Sequence, residues 1–339
     1  MFFQDITDTF FEGVSISNHP EFNHEKVFYY EDNDVGLKSI VAIHDSTKGP
    51  AIGGCRFRKY SSFECGLNDV LRLSRGMTEK NNVAQIPFGG GKAIIFADKK
   101  KSDELLKSYA NFLNLLEGKY ISAEDIGISL NDIKYIKKYT DHVFDNVDPG
   151  PYTAKGIFYS IEAAINFYFN ETLDDKKIAI QGAGSVGLKL ANHLADAGAK
   201  VFIQDIDKSK LKRIVNDNII PVEDAFIHEC HVFAPCAVGA IFTNDSIRQL
   251  NCKVIAGGAN NQLQQDSIAD DLQQLGIAYV PDVLINSGGV IGLTKDLLQR
   301  DENQTEIELQ KIANRAIDLM SIAKKESISV LSAMRKSGL

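Results

Sequence analysis

The chain has 339 residues, of which 44% are hydrophobic and 24% charged, and 37 basic against 45 acidic side chains give a formal net charge of −8. This composition excludes wholesale disorder, and the negative balance argues against nucleic acid or an anionic membrane as the main partner. At about 100–200 residues per domain, the length predicts two domains. No apolar run is long enough for a membrane span, and MFFQDITDTFF lacks the basic start of a signal peptide. Five cysteines, an odd number, favour reduced thiols and a cytoplasmic location.

The first half of the chain alternates strand and helix patterns. KVFYYED and LKSIVAIHD resemble half-buried strands, GPAIGG (49–54) has the glycine and proline content of a loop, and GKAIIFAD is an apolar run of strand length. Apolar residues at helical spacing predict helices over 67–80 and 102–116, the second with Ser102 as its N-cap.

The second half follows a candidate linker at 143–153, which contains two prolines and a glycine. A helix is predicted over 156–168, and KKIAIQ, GAGSVG, LKLANHLADAG and AKVFIQD then form a strand–turn–helix–strand unit. Apolar segments at 232–233, 253–256 and 277–280 alternate with helical stretches, and an amphipathic run extends from 302 to about 325. This alternation predicts an α/β fold with a doubly wound parallel sheet in the second domain.

A glycine-rich turn in that unit fits the dinucleotide-binding pattern G-x-G-x-x-G, between the strand and the helix that the pattern requires. Such glycines allow a tight turn and bring backbone N–H groups close to a pyrophosphate. Asp205 ends the next strand, where a carboxylate accepts the ribose hydroxyls and repels a 2′-phosphate, which favours NAD over NADP. An ordinary βαβ turn with a solvated aspartate is the alternative. The turn consists of Gly182, Ala183, Gly184, Ser185, Val186 and Gly187.

Two lysines are candidates for chemistry. Lys80 ends the predicted helix, and Lys92 follows a triple glycine and opens an apolar strand. Two ammonium groups held together in a partly desolvated site favour loss of a proton from one, which makes it a general base. Two solvated surface lysines are the alternative, and the residue pattern alone does not decide between them.

Other site types fit the sequence poorly. A nucleophile elbow around Ser185 needs glycine where Ala183 stands, and a P-loop ending at Lys92 needs glycine at Ile86. The histidines and cysteines between 228 and 236 follow no standard zinc spacing and are predicted to be structural, so no metal is expected.

At this point the chain resembles the glutamate/leucine/phenylalanine/valine dehydrogenases, and in particular the leucine dehydrogenases among them. The resemblance extends from about residue 40 to about residue 296. Eight blocks in family order carry it: GPAIGGCRF, DVLRLSRGMTEK, GGGKAIIFAD, YISAEDIG, QGAGSVG, FAPCAVGA, VIAGGANNQL and PDVLINSGGVI.

The resemblance implies roles for individual residues in the reaction. Lys80 binds the substrate α-carboxylate with the help of Asn286, Lys92 is the catalytic lysine, and Asp125 transfers protons to and from the substrate nitrogen. Hydride leaves the amino-acid Cα for the nicotinamide ring, and water then attacks the resulting iminium carbon with Lys92 as base. The products are a 2-oxo acid and ammonia.

The resemblance also implies how the cofactor is bound and how the domains are organised. Thr153 and Asn260 hold the nicotinamide end of NAD, residues 182–187 bind the pyrophosphate, and Asp205 binds the ribose. A substrate domain is expected over residues 1–147 and an NAD-binding Rossmann domain over 148–327, with the active site in the cleft between them. Residues from about 328 to 339 are a candidate segment for return to the first domain. The family further implies a homo-oligomer, a dimer or larger.

The side-chain pocket implied by the resemblance consists of hydrocarbon. Its positions are Ile52, Ala123, Val290 and Leu293, where glutamate-specific relatives have a lysine and a serine at the first and last. This set favours a branched-chain aliphatic L-amino acid: leucine, valine or isoleucine. The alternatives are an aromatic amino acid, a 2-hydroxy acid, or a catalytically silent NAD-binding regulator.

The chain departs from the family pattern beside two of these blocks. Lys155 stands where tyrosine or glutamine is usual, and Gly292 stands where asparagine or glutamine is usual.

Overall fold

The structure, a computed structural model, describes residues 1–145, 147–237 and 239–338. The chain forms two compact units, Met1–Val147 and Asp148–Leu339. Among the helices within the described ranges, none is long and apolar enough to cross a membrane.

The first unit is built on a six-stranded mixed sheet with the order β1-β4-β5-β7-β6-β8. β5 pairs antiparallel with β4 and β7, whereas β6 runs parallel to both β7 and β8. The short strands β2 and β3 form a separate hairpin. The strands are β1 (Phe2–Asp5), β2 (Phe10–Phe11), β3 (Val14–Ser15), β4 (Lys26–Asp32), β5 (Leu37–Asp45), β6 (Ala51–Arg58), β7 (Gly89–Phe96) and β8 (Tyr120–Ala123).

Helices cover both faces of this sheet, because alternate residues along its strands direct apolar side chains to both faces. Ile94 of β7 packs with the helix α1, and Ala93 and Ile95 pack with the helix α2 on the opposite face. Ser102 caps α2 by accepting a hydrogen bond from the backbone N–H of Leu105, as the sequence predicts. The helices are α1 (Phe63–Ala84), α2 (Asp103–Leu115) and α3 (Leu130–Ile136).

The loop predicted for residues 49–54 is wrong, because Ala51 to Gly54 belong to β6. Glycine in this segment allows two neighbouring strands of the sheet to approach each other closely. A Cβ built on Gly53 would lie 1.9 Å from the carbonyl oxygen of Gly91 in the neighbouring strand. Any larger residue would force β6 and β7 apart.

The second unit confirms the predicted doubly wound parallel sheet. Its strand order is β11-β10-β9-β12-β13-β14, which is the order of a Rossmann fold with β9 as the first strand. Every pair is parallel. The strands are β9 (Lys177–Gln181), β10 (Lys200–Gln204), β11 (Ile219–Pro221), β12 (Val232–Pro235), β13 (Val254–Ile255) and β14 (Ala278–Tyr279).

Nine helical segments accompany this sheet among the described residues. Leu272 packs with Phe233 and Tyr279 in one core cluster of the sheet. Eight segments are α-helical and one, at Ser246–Gln249, is a 3-10 helix. The α-helices are α4 (Gly150–Phe169), α5 (Ser185–Asp196), α6 (Lys208–Leu211), α7 (Ile268–Gln274), α8 (Asp282–Ile285), α9 (Gly288–Thr294), α10 (Glu302–Glu326) and α11 (Val330–Lys336).

Two features of the second half bear on the expected domain organisation. The candidate linker at 143–153, of which residue 146 lies outside the described ranges, overlaps the first turn of α4, which begins at Gly150 because a proline is tolerated in the first turn of a helix. The segment from about 328, the candidate for return to the first domain, contains α11, which packs on α10 and α7 within the second unit. Ser329 fixes it there by donating a hydrogen bond of 2.6 Å to Asp270. The last residue of that segment, 339, lies outside the described ranges.

Candidate active site

In the first unit, strand β7 carries a nearly buried lysine. The side chain of Lys92 is 8% exposed and its ammonium group contacts the carboxylate of Asp125. The register pairs Ile52 with Gly90, so Lys92, two residues further along, projects from the same sheet face as Ile52. α1 packs on that face. The structure therefore places the predicted catalytic lysine against the predicted proton-transfer aspartate.

Asp125 lies just beyond the end of β8 and is anchored by three donors. Its Oδ1 accepts a 2.7 Å hydrogen bond from the backbone N–H of Ile126, and its Oδ2 accepts from Lys92 and from Arg56. Burial raises the pKa of this carboxyl, but the charges of Lys92 and Arg56 and the hydrogen bonds outweigh burial and lower the pKa to about 2. Asp125 is therefore ionised at neutral pH.

The triple glycine before Lys92 allows helix α1 to pack closely against strand β7. A Cβ on Gly90 would lie 2.1 Å from both the backbone nitrogen and the hydroxyl of Thr78 in α1. The close approach that this glycine permits is therefore made by the protein itself. Lys80 follows Thr78 by two residues, so the glycine brings the helix that carries Lys80 against the strand that carries Lys92.

Hydrocarbon side chains lie on the same sheet face. Ile52 in β6 is 1% exposed and Ala123 in β8 is 5% exposed. The register pairs Gly54 with Ala123, and Gly54 shares its face with Ile52 because they are two residues apart. These two members of the predicted pocket are thus brought onto the face that holds Lys92.

In the second unit, the turn between β9 and α5 has the geometry of a dinucleotide-binding turn. Gly182 has a φ of +104°, and a Cβ on Gly187 would lie 1.9 Å from the carbonyl oxygen of Gly182. At Gly184, no atom of the described residues beyond its chain neighbours and its own helix lies within 4 Å of where a Cβ would stand, which leaves space for a ligand against the N-terminus of α5. The turn fits the pyrophosphate of NAD.

Asp205 closes the other side of this turn. Its carboxylate accepts hydrogen bonds from the backbone N–H of Ala183 (2.7 Å) and Asp207 (2.8 Å), and Lys210 lies 3.2 Å away. Burial raises the pKa of Asp205, but those backbone bonds and Lys210 prevail and lower it. The structure thus places an anion just after β10, at the position predicted for the adenosine ribose of NAD.

The remaining candidates of the second unit cluster around α9. Thr153 in α4 donates to the carbonyl oxygen of Pro149, and a Cβ on Gly289 would lie 2.7 Å from the Thr153 hydroxyl. The Asn286 amide donates to the side-chain oxygen of Asn260 at 3.0 Å. Its own side-chain oxygen is buried and lacks a hydrogen-bond partner among the described residues.

Two further pocket positions belong to α9. Val290 is 6% exposed, and Leu293 is half-buried. Near them, a Cβ on Gly292 would lie 2.3 Å from the ring of Tyr152, so this ring occupies the space that a larger residue at position 292 would need. Lys155 points to α10, where it pairs with Glu306.

Sequence reasoning missed Arg56 and Lys210, each of which contacts a predicted site carboxylate. A signal for Arg56 was available, since an arginine next to a run of apolar strand residues needs a buried anion as partner. No signal in the sequence pointed to Lys210, because a lysine after a strand is usually solvated. His231 bonds to the backbone N–H of Lys177, and the described residues contain no group of three His, Cys, Asp or Glu side chains that could hold a metal.

Comparison with known proteins identifies the family. Residues 24–142 match the family model described as Glu/Leu/Phe/Val dehydrogenase, dimerisation domain. Residues 150–207 and 202–336 match the model described as Glutamate/Leucine/Phenylalanine/Valine dehydrogenase. Together these segments cover most of the chain.

Individual relatives differ in their named substrate. Leucine dehydrogenase of Bacillus subtilis is 36% identical over 321 residues, covering 91% of this chain and 88% of that enzyme. Phenylalanine dehydrogenase of Bacillus thermotolerans is 35% identical and covers 97% and 89%. The crystal structure of L-tryptophan dehydrogenase from Nostoc punctiforme matches with a TM-score of 0.81 and 36% identity, over 93% of this chain and 94% of that one. The chain therefore belongs to the Glu/Leu/Phe/Val dehydrogenase family of amino-acid dehydrogenases.

Proposed function

We propose that the protein catalyses the NAD-dependent oxidative deamination of a branched-chain aliphatic L-amino acid to the 2-oxo acid and ammonia, and the reverse reductive amination. The first unit is the proposed substrate domain, and the second is the proposed NAD-binding domain. The observation that carries the proposal is the nearly buried contact between Lys92 and Asp125, on a sheet face whose neighbouring positions Ile52 and Ala123 are hydrocarbon. A base, a proton carrier and an apolar surface are the three parts that this reaction requires.

In this scheme the protein supplies binding and proton transfer, and NAD held by the turn 182–187 and Asp205 would supply the hydride acceptor for the substrate Cα. Lys80 and Asn286 bind the α-carboxylate. Lys92 removes a proton from the water that attacks the iminium carbon, and this proton passes through Asp125 to the nitrogen of the carbinolamine. Lys92 then takes the hydroxyl proton as the C–N bond breaks, so that the C=O bond forms and ammonia leaves. Because Lys92 and Asp125 are in contact, a proton can pass between them without a water chain.

The pocket argument excludes a charged substrate side chain. A glutamate side chain placed against hydrocarbon, either Ile52 in the first unit or Leu293 in the second, would lose its hydration without gaining a charged partner, at a cost of the order of several kcal/mol. Among aliphatic substrates, a bulkier residue such as Leu293 makes the pocket tighter and favours valine relative to leucine. One methylene changes binding by only about 1–3 kcal/mol, so the aliphatic amino acids are expected to overlap as substrates.

The test is kcat/KM for leucine, valine, isoleucine, phenylalanine, tryptophan and glutamate at fixed NAD, followed through NADH absorbance. The aliphatic three are expected to lead. Lys92→Ala should lower kcat by about 10²–10⁴ while NAD binding persists. Lys38→Ala is a suitable control, because Lys38 also lies in the sheet but pairs with Glu31 at an exposed position. Near-normal turnover of Lys92→Ala would contradict the mechanism.

An aromatic substrate is the second candidate, favoured by the match to enzymes named for tryptophan and phenylalanine. A clear preference for an aromatic amino acid in the panel would refute the pocket argument and leave the reaction intact. No oxidation of any amino acid, with NAD still bound, would favour a silent NAD-binding regulator.

We also infer a homo-oligomer, a dimer or larger, and a cytoplasmic location. The oligomer is supported by the match of residues 24–142 to a domain described as a dimerisation domain. The location is supported by the five free cysteines, which suit a reducing compartment.

A further inference from the structure

A chain of ionic contacts runs behind the proposed proton carrier. Arg56 donates from Nε to Oδ2 of Asp125 at 3.1 Å and from its terminal nitrogen to both oxygens of Asp69, at 3.1 and 3.2 Å. The Tyr60 hydroxyl donates to the same Asp69 carboxylate at 2.7 Å. The Arg56 side chain is 17% exposed, so both of its ion pairs are largely shielded from water.

We propose that Arg56 is a positioning residue that holds the Asp125 carboxylate in place for proton transfer, with Asp69 and Tyr60 fixing the guanidinium from behind. This inference rests on the proposed function, since it gives Arg56 a role through Asp125.

The geometry explains why a second cation is needed beside Asp125. The residue lies beyond the end of the edge strand β8, where its backbone forms an isolated β-bridge with Ile128 in place of a strand ladder. Lys92 is its other charged donor, but a lysine that gives and takes protons cannot hold the carboxylate in every state of the reaction. A guanidinium stays protonated throughout, so the bond from Arg56 persists whichever way the proton moves.

Asp69 supplies the rigidity that a long arginine lacks by itself. It belongs to α1, the helix that also carries Lys80, and its carboxylate is bonded by both Arg56 and Tyr60. Burial and the bond to Asp69 raise the pKa of Tyr60, so the hydroxyl remains a donor at any working pH. The contacts thereby tie Asp125 to the helix that carries the proposed carboxylate-binding lysine.

The electrostatics agree with this role. Burial raises the pKa of Asp125, and the positive charges of Lys92 and Arg56 lower it. Cys55 and Tyr120, which also interact with Asp125 electrostatically, are fully buried and uncharged at neutral pH. Arg56 thus acts with Lys92 to keep the largely buried carboxylate ionised.

The test compares Arg56→Ala with a matched control on the same strand. Arg58→Ala removes the same side chain two residues further along, where the guanidinium lies 5.8 Å from the Tyr60 ring and is exposed. Kinetics are measured with the best amino acid of the panel, with and without low millimolar guanidinium chloride. Arg56→Lys and Asp69→Asn complete the series, and thermal unfolding checks that each variant is folded.

Arg56→Ala is expected to lower kcat by about tenfold to a hundredfold and to change KM by less than about threefold, because the residue orients a proton carrier and does not bind substrate. Added guanidinium should restore part of the kcat, Arg56→Lys should retain part of it, and Asp69→Asn should lose a smaller factor. Arg58→Ala should behave like wild type and show no response to guanidinium.

Three results would overturn the inference: an Arg56→Ala variant with wild-type kcat, a loss that appears equally in KM, or a loss that guanidinium leaves unchanged. If Arg56→Ala does not fold, Asp69→Asn decides, and a wild-type kcat for that variant refutes the role of the network. Failure of the proposed function is distinct, because the wild type itself would then oxidise no amino acid.

Discussion

Replacing Gly292 by alanine should destabilise the protein, although alanine is the better helix former. In a helix interior, alanine is favoured over glycine by about 1 kcal/mol. Against this, the new Cβ at position 292 would lie 2.3 Å from Cδ2, 2.4 Å from Cγ and 2.9 Å from Cβ of Tyr152. These atoms stand close to the Tyr152 backbone and cannot swing away as the end of a long side chain can. Overpacking of this kind costs about 1–3 kcal/mol, so a net loss of up to about 2 kcal/mol is expected.

Thermal unfolding measures this loss directly, since a domain of this size shifts its Tm by roughly 2–4 °C for each kcal/mol. Tyr152→Ala removes the obstructing ring and leaves only the 2.9 Å approach to its own Cβ, so in that background Gly292→Ala should lower the Tm by less. Gly76→Ala is the matched control. Gly76 lies inside α1, and among the described residues outside its own helix no atom comes within 4 Å of where a Cβ would stand, so alanine there should stabilise. A Gly292→Ala variant as stable as the control variant would refute the reasoning.

Two further predictions concern the cofactor and pH. Asp205→Asn should raise the NADP/NAD ratio of kcat/KM by about 10- to 100-fold, since it removes the repelling charge and frees Lys210 to pair with a 2′-phosphate. Lys210→Ala added to it should cancel the part of the gain that Lys210 supplies. Burial, and then the charge of His44, lower the pKa of His24 to about 4. The unfolded chain therefore binds a proton below about pH 6.5 that the folded chain refuses, and stability should fall by up to about 3 kcal/mol between pH 6.5 and 4. Urea unfolding of wild type and His24→Gln checks this, because the variant should lose that part of the pH dependence.

The parts of the fold that the sequence predicted well are those where side-chain alternation agrees with tertiary structure. KVFYYED and LKSIVAIHD are β4 and β5 to the residue, because their apolar side chains alternate between two buried or half-buried faces. The turn 182–187 was equally predictable from the sequence, since its glycines, strand and helix are contiguous in the chain. GPAIGG failed for the opposite reason. Its glycines serve contacts with residues far along the chain, and composition alone assigns them to a loop.

The candidate site was predictable only in part. Family resemblance named Lys92 and Asp125, but their contact depends on the pairing of β6 with both β7 and β8, which no local pattern reveals. Arg56 in β6 reaches Asp125 because of the same pairing of β6 with β8. A carboxylate 69 residues away along the chain is its partner, and single-sequence reasoning has no means of pairing them.

The mixed sheet of the first unit also has a consequence for how the protein is made. β4 and β5 are joined by a short turn and can pair as soon as both leave the ribosome, whereas β6, β7 and β8 meet only after helices α1 and α2 have crossed over the sheet. Non-local parallel pairings form slowly, because loop-closure entropy is lost before any contact compensates for it. We therefore expect the edge that carries Asp125 to be completed last in this unit. In a nascent chain the β4–β5 hairpin then forms early, and the contact between Lys92 and Asp125 forms late.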